Sequence, residues 1–214
     1  MARPSKNIDQ QLLDAGFALL PTTGCRGLSA RKLTEHAGVS LGMFHYHFRS
    51  KENFIRTLLQ QMYEQMFAEL TLQSSDVRAA PAERLRHAMQ VIAHFGRDQH
   101  KLLTRILSDA FGGEAVAIEF LRENVPRHIG VLTGLIAEAQ AERQLAAAPL
   151  PQVLAFLAGA VIAPVLLGST LAGNGLLPAP IGMALDSAVL SDAAIDQRIG
   201  FALRGLSVEP KEPA

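Results

Sequence analysis

An all-helical protein is the fold class that this sequence predicts, on three observations. Apolar residues recur three and four positions apart, with Ala, Leu, Gln, Glu and Arg between them. The Val/Ile/Thr alternation that marks strands is nearly absent. Apolar residues make up 49% of the 214 residues and charged ones 19%. That balance excludes a disordered, collagen-like or acidic solvating chain, and leaves a real core in one medium domain or two small ones.

The elements follow in order. Ile8, Leu12, Ala15 and Leu19 form one stripe of a helix from about Ser5 to Leu20, which Pro21 and Gly24 are expected to stop. Ser29 caps a short helix through about Ala37 and Ser40 another through about His47, with Gly38 between them free to take the positive φ of a sharp turn. Leu28, Leu33, Ala37, Val39, Phe44 and Phe48 supply apolar contacts among these three small helices. Ser50 opens a longer helix to about Leu72, and Pro81 suits the first position of one through about Phe95. A helix from His100 to Phe111 ends at Gly112-Gly113, and the helical pattern of 114–144 is expected to kink or split at Pro126. Leu150–Ala172 is a very apolar helix, Gly173–Gly182 a loop rich in Gly and Pro, and Asp192–Leu206 the last helix. About nine helices result. The expected division is a small helical domain over 1–50, a larger helical domain over 51–206, and a disordered tail over 207–214.

Net charge is zero as a sum of opposites. Residues 1–60 carry eight basic and four acidic side chains, and the remainder is net acidic by the same margin. A basic front end on an acidic body points to a polyanion partner for the front end alone. Cys25 is the single cysteine, so neither a disulfide nor a thiolate cluster arises within the chain. The opening residues hold no apolar run of signal-peptide length, and the cytoplasm is the expected compartment. Residues 144–185 carry no charge, which invites a transmembrane reading. Pro149, Pro151, Pro164, Pro178 and Pro180 are expected to break that run, and flanking basic residues are missing, so no membrane partner is expected.

The informative segment is LSARKLTEHAGVSLGMFHYHFRSKENF, residues 28–54: two short helices around a glycine turn, basic flanks, and aromatic residues in the second helix. This is helix-turn-helix geometry, which lays the second helix in the DNA major groove while the first helix and the flanks hold phosphates. Phe44 and Phe48 are read as core, because a three-helix unit needs them inside. His45 and His47 are two apart, which places them ~200° apart on a helix and argues against a shared metal.

Ser29, Arg31, Ala37-Gly38-Val39-Ser40, Gly42, Phe44, His47-Phe48 and Lys51 together resemble the N-terminal signature of the tetracycline-repressor-like (TetR) family of bacterial regulators. The upstream LLDAGFALLPTTG is similar to that family's first helix. The motif-level resemblance covers about residues 8–56 and is architectural beyond. It implies groove reading by Ser40, Leu41, Gly42, Met43, His45, Tyr46 and His47, and phosphate or guanine contacts by Arg31, Lys32 and Lys51. One departure stands out. The family usually has Tyr where this chain has His45, and Tyr46 follows one place later. Adjacent helical positions are rotated by ~100°. Either His45 takes the place of the usual phosphate-contacting tyrosine, or Tyr46 reaches a different part of the groove. The resemblance also implies a dimer through the last two large helices, where Gly159, Ala160, Ala163 and Gly168 would allow close approach.

In the body, Met62, Met66, Phe95, Leu103, Phe111, Phe120 and His128 are the candidates to line a pocket for an apolar or amphipathic small molecule, with plain core as their simpler reading. No nucleophile–base pairing, H-E-x-x-H, phosphate loop or G-x-S-x-G occurs, so neither an enzyme nor a cofactor is expected. The sequence therefore points to a ligand-responsive repressor that binds a palindromic double-stranded DNA operator as a homodimer and is released by a small-molecule effector. The alternative is a helical small-molecule-binding or membrane-associated module with an incidental basic front end.

Overall fold

Helix α1, Ile8–Gly27, runs through Pro21 instead of stopping there, and the break falls at Gly24, whose φ of 67° lies in the left-handed region. A proline inside a helix costs one backbone hydrogen bond, which the helix bears, whereas Gly24 leaves helical geometry altogether. The computed structural model describes residues 7–173 and 176–208. The expected start near Ser5, residues 174–175 of the Gly173–Gly182 loop and residues 209–214 of the expected tail lie outside the described residues.

Helices α2 (Ala30–Ala37), α3 (Leu41–Phe48), α4 (Lys51–Ser74), α5 (Pro81–Asp98), α6 (His100–Phe111) and α7 (Ala115–Ala141) follow. Pro126 does not split α7. Next come α8 (Leu150–Leu157) and α9 (Ala163–Gly173), joined through a π turn at Ala158–Ile162. The run Leu150–Gly173 is thus one continuous 24-residue helix, long and apolar enough to cross a membrane by length and composition. Pro151 sits in its first turn, where the absent N–H costs nothing. The wider π turn directly before Pro164 relieves the clash of its ring with the preceding turn. The prolines therefore fail to break this segment as expected from sequence. Helix α10 (Ala179–Leu185), with its π continuation to Leu190, occupies part of what reads as a loop, because Pro178 and Pro180 stand at its start rather than inside it. Helix α11 is Asp192–Leu206, as expected. Among the described residues the all-helical class holds, with ten helical rods where about nine were expected.

The chain divides into two compact units, one of residues up to Glu64 with Lys101–Asn124, the other of Gln65–His100 with the residues from Val125 onward. In the first unit Leu12, Leu20, Leu28, Leu33, Phe44, Phe54, Ile55 and Leu58 are fully buried, so α1, α2, α3 and the start of α4 share one core. The corner at Gly24 is held by α6. The Cys25 N–H donates to the buried Asp109 carboxylate at 2.7 Å, and Arg105 pairs with the other Asp109 oxygen at 3.1 Å. The φ of Gly24 favours glycine, and a side chain there would also displace that guanidinium.

In the second unit α11 packs on α5, and Leu85, Met89, Ile136, Val161, Val165, Ile195 and Ile199 form the core. Arg97 ties α5 to the start of α11 by donating to the Leu190 carbonyl at 3.0 Å and to Asp192 at 2.5 Å. That hydrogen bond and the charge of Arg97 hold the Asp192 carboxyl below its ordinary range.

Candidate nucleic-acid interface

The segment that carries the motif is built by local signals. Ser29, extended at φ −140°, accepts a hydrogen bond from the Lys32 N–H at 3.3 Å and caps α2. Gly38 closes α2 at φ 67°, and the next amide, Val39, donates to the Thr34 carbonyl at 3.0 Å. Nothing crowds Gly38, so the backbone angle alone selects glycine. Ser40 occupies the cap of α3, but its hydroxyl makes no capping bond and is exposed.

The aromatic residues split by face. Phe44, Phe48 and Phe54 are buried against one another at ring distances of 4.9 to 5.8 Å, which confirms the first two as core. The opposite face of α3 is exposed at Leu41, Gly42, His45 and Tyr46, the tyrosine by 78%. Met43 and His47 are half-buried at its edges, and the His47 Nε2 is buried without a hydrogen bond. Gly42 has no neighbour closer than the Ser40 hydroxyl at 3.9 Å. Glycine inside a helix costs roughly 0.5–1 kcal/mol relative to Ala, and nothing within the protein requires it here.

The two rings that the sequence left open are placed differently. His45 turns its Nδ1 to the Arg49 carbonyl at 3.3 Å, while Tyr46 is exposed with its ring edge-on to His47 at 5.1 Å. Arg49 itself adopts φ 64° at the end of α3, and Asn53 donates to the Phe48 carbonyl at 3.1 Å, so side chains satisfy the last carbonyls of the helix.

Among the basic residues Arg26 pairs with Glu114, Arg31 with Glu35 and Arg56 with Glu119. Two of these partners lie 63 and 88 residues away in sequence and were invisible to a count of local charge. Lys32, Arg49 and Lys51 form no ion pair among the described residues, although the Lys32 Nζ donates to the Gly27 carbonyl. Arg49 is an exposed cation that the candidates read from the sequence did not include.

The seven candidate pocket residues divide between the two units. Met62, Leu103, Phe111 and Phe120 belong to the first unit, and Met66, Phe95 and His128 to the second. Phe111, at the end of α6, is 90% exposed. Met66 and Phe95 do meet, in a cleft of about 510 Å³ between α4 and α5 that also involves Gln73, His87, Gln90 and His94. Burial, then the Asp109 hydrogen bond and charge, push the Cys25 thiol up to about 12, which keeps it protonated and unreactive. Among the described residues no group of three His, Cys, Asp or Glu side chains is placed to hold a metal.

A short helix, a glycine turn and a second helix with an exposed polar and aromatic face define a helix-turn-helix protein of the all-helical class. Residues 12–58 match the family described as bacterial regulatory proteins, tetR family. Solved structures share the fold over nearly the whole chain. A Clostridium perfringens protein proposed as a fatty acid metabolism regulator is 17% identical, with a TM-score of 0.71 over 93% of this chain and 100% of its own. The ketosteroid transcriptional regulator KstR2 of Mycobacterium tuberculosis is 15% identical, with a TM-score of 0.70 over 97% and 98%. A transcriptional regulator of Rhodococcus sp. is 22% identical, with a TM-score of 0.63 over 95% and 100%. No curated protein matches in sequence. Residues 12–58 are thus similar to the tetR-family model, and the chain shares its all-helical fold with these solved structures.

Proposed function

We propose that the protein is a homodimeric repressor which reads a palindromic operator with α3 and releases it when a small apolar or amphipathic molecule binds the second unit. The observation that carries this reading is the outward face of α3. Leu41, Gly42, His45 and Tyr46 are exposed on a two-turn helix whose other face is fully committed to the core, beside Lys32, Arg49 and Lys51 without ion pairs. A bare glycine on that face lets a backbone or a base edge approach, and cations beside it serve phosphates.

Two further observations support the dimer and the effector. On α8 and α9 the side chains of Phe156, Leu167 and Leu171 are exposed on a helix with no charge, flanked by exposed Gly159. Such a face is stable in water only when covered, and a two-fold copy covers it and supplies the second reading helix that a palindrome needs. The cleft at Met66, Val91 and Phe95 has an apolar floor with amide and imidazole groups around it, the composition of a small-molecule site. Two of the similar structures are named for a ketosteroid and for fatty acid metabolism, which is in keeping with an apolar effector. Release then requires an effector that binds the non-reading state better, and operator DNA weakens the effector by the same factor. Residence in the cytoplasm goes with this reading.

Selection of bound sequences from a random duplex library at moderate salt tests it. An inverted repeat with half-sites about one DNA turn apart is the expected result. Retention without sequence pattern would overturn it and leave polyanion attraction only.

A further inference from the structure

We infer that the cleft between α4 and α5 takes a cationic amphipathic molecule, whose apolar body lies on the cleft floor and whose ammonium-type head pairs with the Glu69 carboxylate. The inference rests on that cleft as the effector site and names the chemistry of what fills it. On α4 the lining residues Met66, Glu69 and Gln73 fall at helical spacing, so they share one face over about 10 Å of helix. On α5, Val91 and Phe95 also share a face and complete the apolar floor with Met66. The cleft, about 510 Å³ in volume, has room for a small organic molecule.

Charge decides which amphiphile such a floor accepts. Among the described residues that line the cleft there is no Lys or Arg, and Glu69 is the one side chain with a fixed charge. Its Oε1 accepts from the Gln73 amide at 2.8 Å, and it forms no ion pair among the described residues. The arginines of α5 serve other acids. Arg86 pairs with Glu83 at 3.3 Å, and Arg97 with Asp98 and Asp192. The carboxylate at the cleft edge is therefore left for a cation from outside the chain.

The remaining polar groups at the rim are engaged by acids as well. The His87 Nε2 lies 3.4 Å from Glu83, the His94 Nε2 3.6 Å from Asp192, and the Gln90 amide donates to Asp196 at 2.8 Å. The donors that an anionic head would need are thus already committed. Such a head would give up its water only to meet the like charge of Glu69, which selects against carboxylate- or phosphate-bearing amphiphiles. A cationic head trades its water for Glu69. The ring of Phe95 and the thioether of Met66 are polarisable surfaces that a cation tolerates better than an anion does.

The test uses two ions of the same shape and opposite charge, tetraphenylphosphonium and tetraphenylborate, titrated calorimetrically into the full chain at fixed ionic strength. Circular dichroism confirms equal helix content in every variant. The cation is expected to bind on the order of tenfold more tightly than the anion, and Glu69→Gln to weaken the cation about fivefold. Asp186→Asn, an equal change of charge at a carboxylate outside the cleft lining, is expected to keep the wild-type preference. A preference for the cation that survives Glu69→Gln would overturn the inference, and so would an anion that binds as tightly as the cation. In either case, binding that is lost in Phe95→Ala would leave the cleft as the effector site. Binding of neither ion, or binding indifferent to Phe95→Ala, would overturn both.

Discussion

The outward face of α3 and the outward face of α8 and α9 are both exposed, yet their chemistry is opposite. The first presents Tyr46, His45 and a bare Gly42 beside unpaired cations, and the second presents Phe156, Leu167 and Leu171 from a stretch of 42 residues without a charge. A polar, cationic surface gains by meeting a hydrated polyanion. An apolar, uncharged one gains only by expelling water against another apolar surface. Exposure alone therefore says little, and what surrounds the exposed group decides the partner.

The strongest way to break this comparison is to charge the apolar face. Leu167→Glu, at a side chain 64% exposed, is expected to leave helix content unchanged while converting a dimer to a monomer in sedimentation. Operator affinity should then fall on the order of a hundredfold or more, because two linked half-site contacts become one. An unchanged sedimentation coefficient would assign that face to a different partner.

Next in size is Asp109→Ala. It strips the acceptor from the Cys25 N–H and the partner from Arg105, and is expected to cost about 3 kcal/mol in urea denaturation. A loss no greater than that of a surface substitution would show that the corner at Gly24 is held by something else.

The two serine caps offer a finer contrast. Ser29→Ala should cost about 1 kcal/mol, whereas Ser40→Ala should be close to neutral for stability, since only Ser29 makes the capping bond. Ser40 then registers only in DNA binding. Equal stability losses would contradict the assignment. Lys51→Ala is expected to weaken the operator several-fold and to lower the salt slope by about one, without changing which sequence is preferred.

The smallest effect concerns Cys25. Its thiol is raised to about 12 in the folded chain, so the stability it confers is complete below the unfolded value near 9 and is lost as pH climbs above it. The urea midpoint should drop between pH 8 and pH 10 in wild type and less in Cys25→Ser.

The same contrast explains what could be read from the chain alone. Between Ser29 and Lys51 the determinants are caps, a positive-φ glycine and neighbours three or four apart, so α2, the turn and α3 are legible, as is the inward role of Phe44 and Phe48. Prolines were harder. Pro21 and Pro126 lie inside helices without ending them, Pro164 is absorbed by a π turn, and Pro178 and Pro180 begin α10 rather than sit in a loop. A proline forbids one hydrogen bond, and whether that ends a helix depends on packing elsewhere. Long-range partners left no local trace either. Glu114 and Glu119 neutralise Arg26 and Arg56, and the apolar spacing that nominated Phe111 for a pocket could not show that its ring stands in solvent.

The central claim is that the exposed face of α3 meets DNA. A photoreactive phenylalanine analogue placed at Tyr46, and in a separate protein at Val77, which is 84% exposed in the second unit, would be irradiated with the selected operator duplex. Cross-linking from position 46, competed away by unlabelled operator and absent from position 77, is the expected result. Cross-linking from position 77 with none from position 46 would contradict the account.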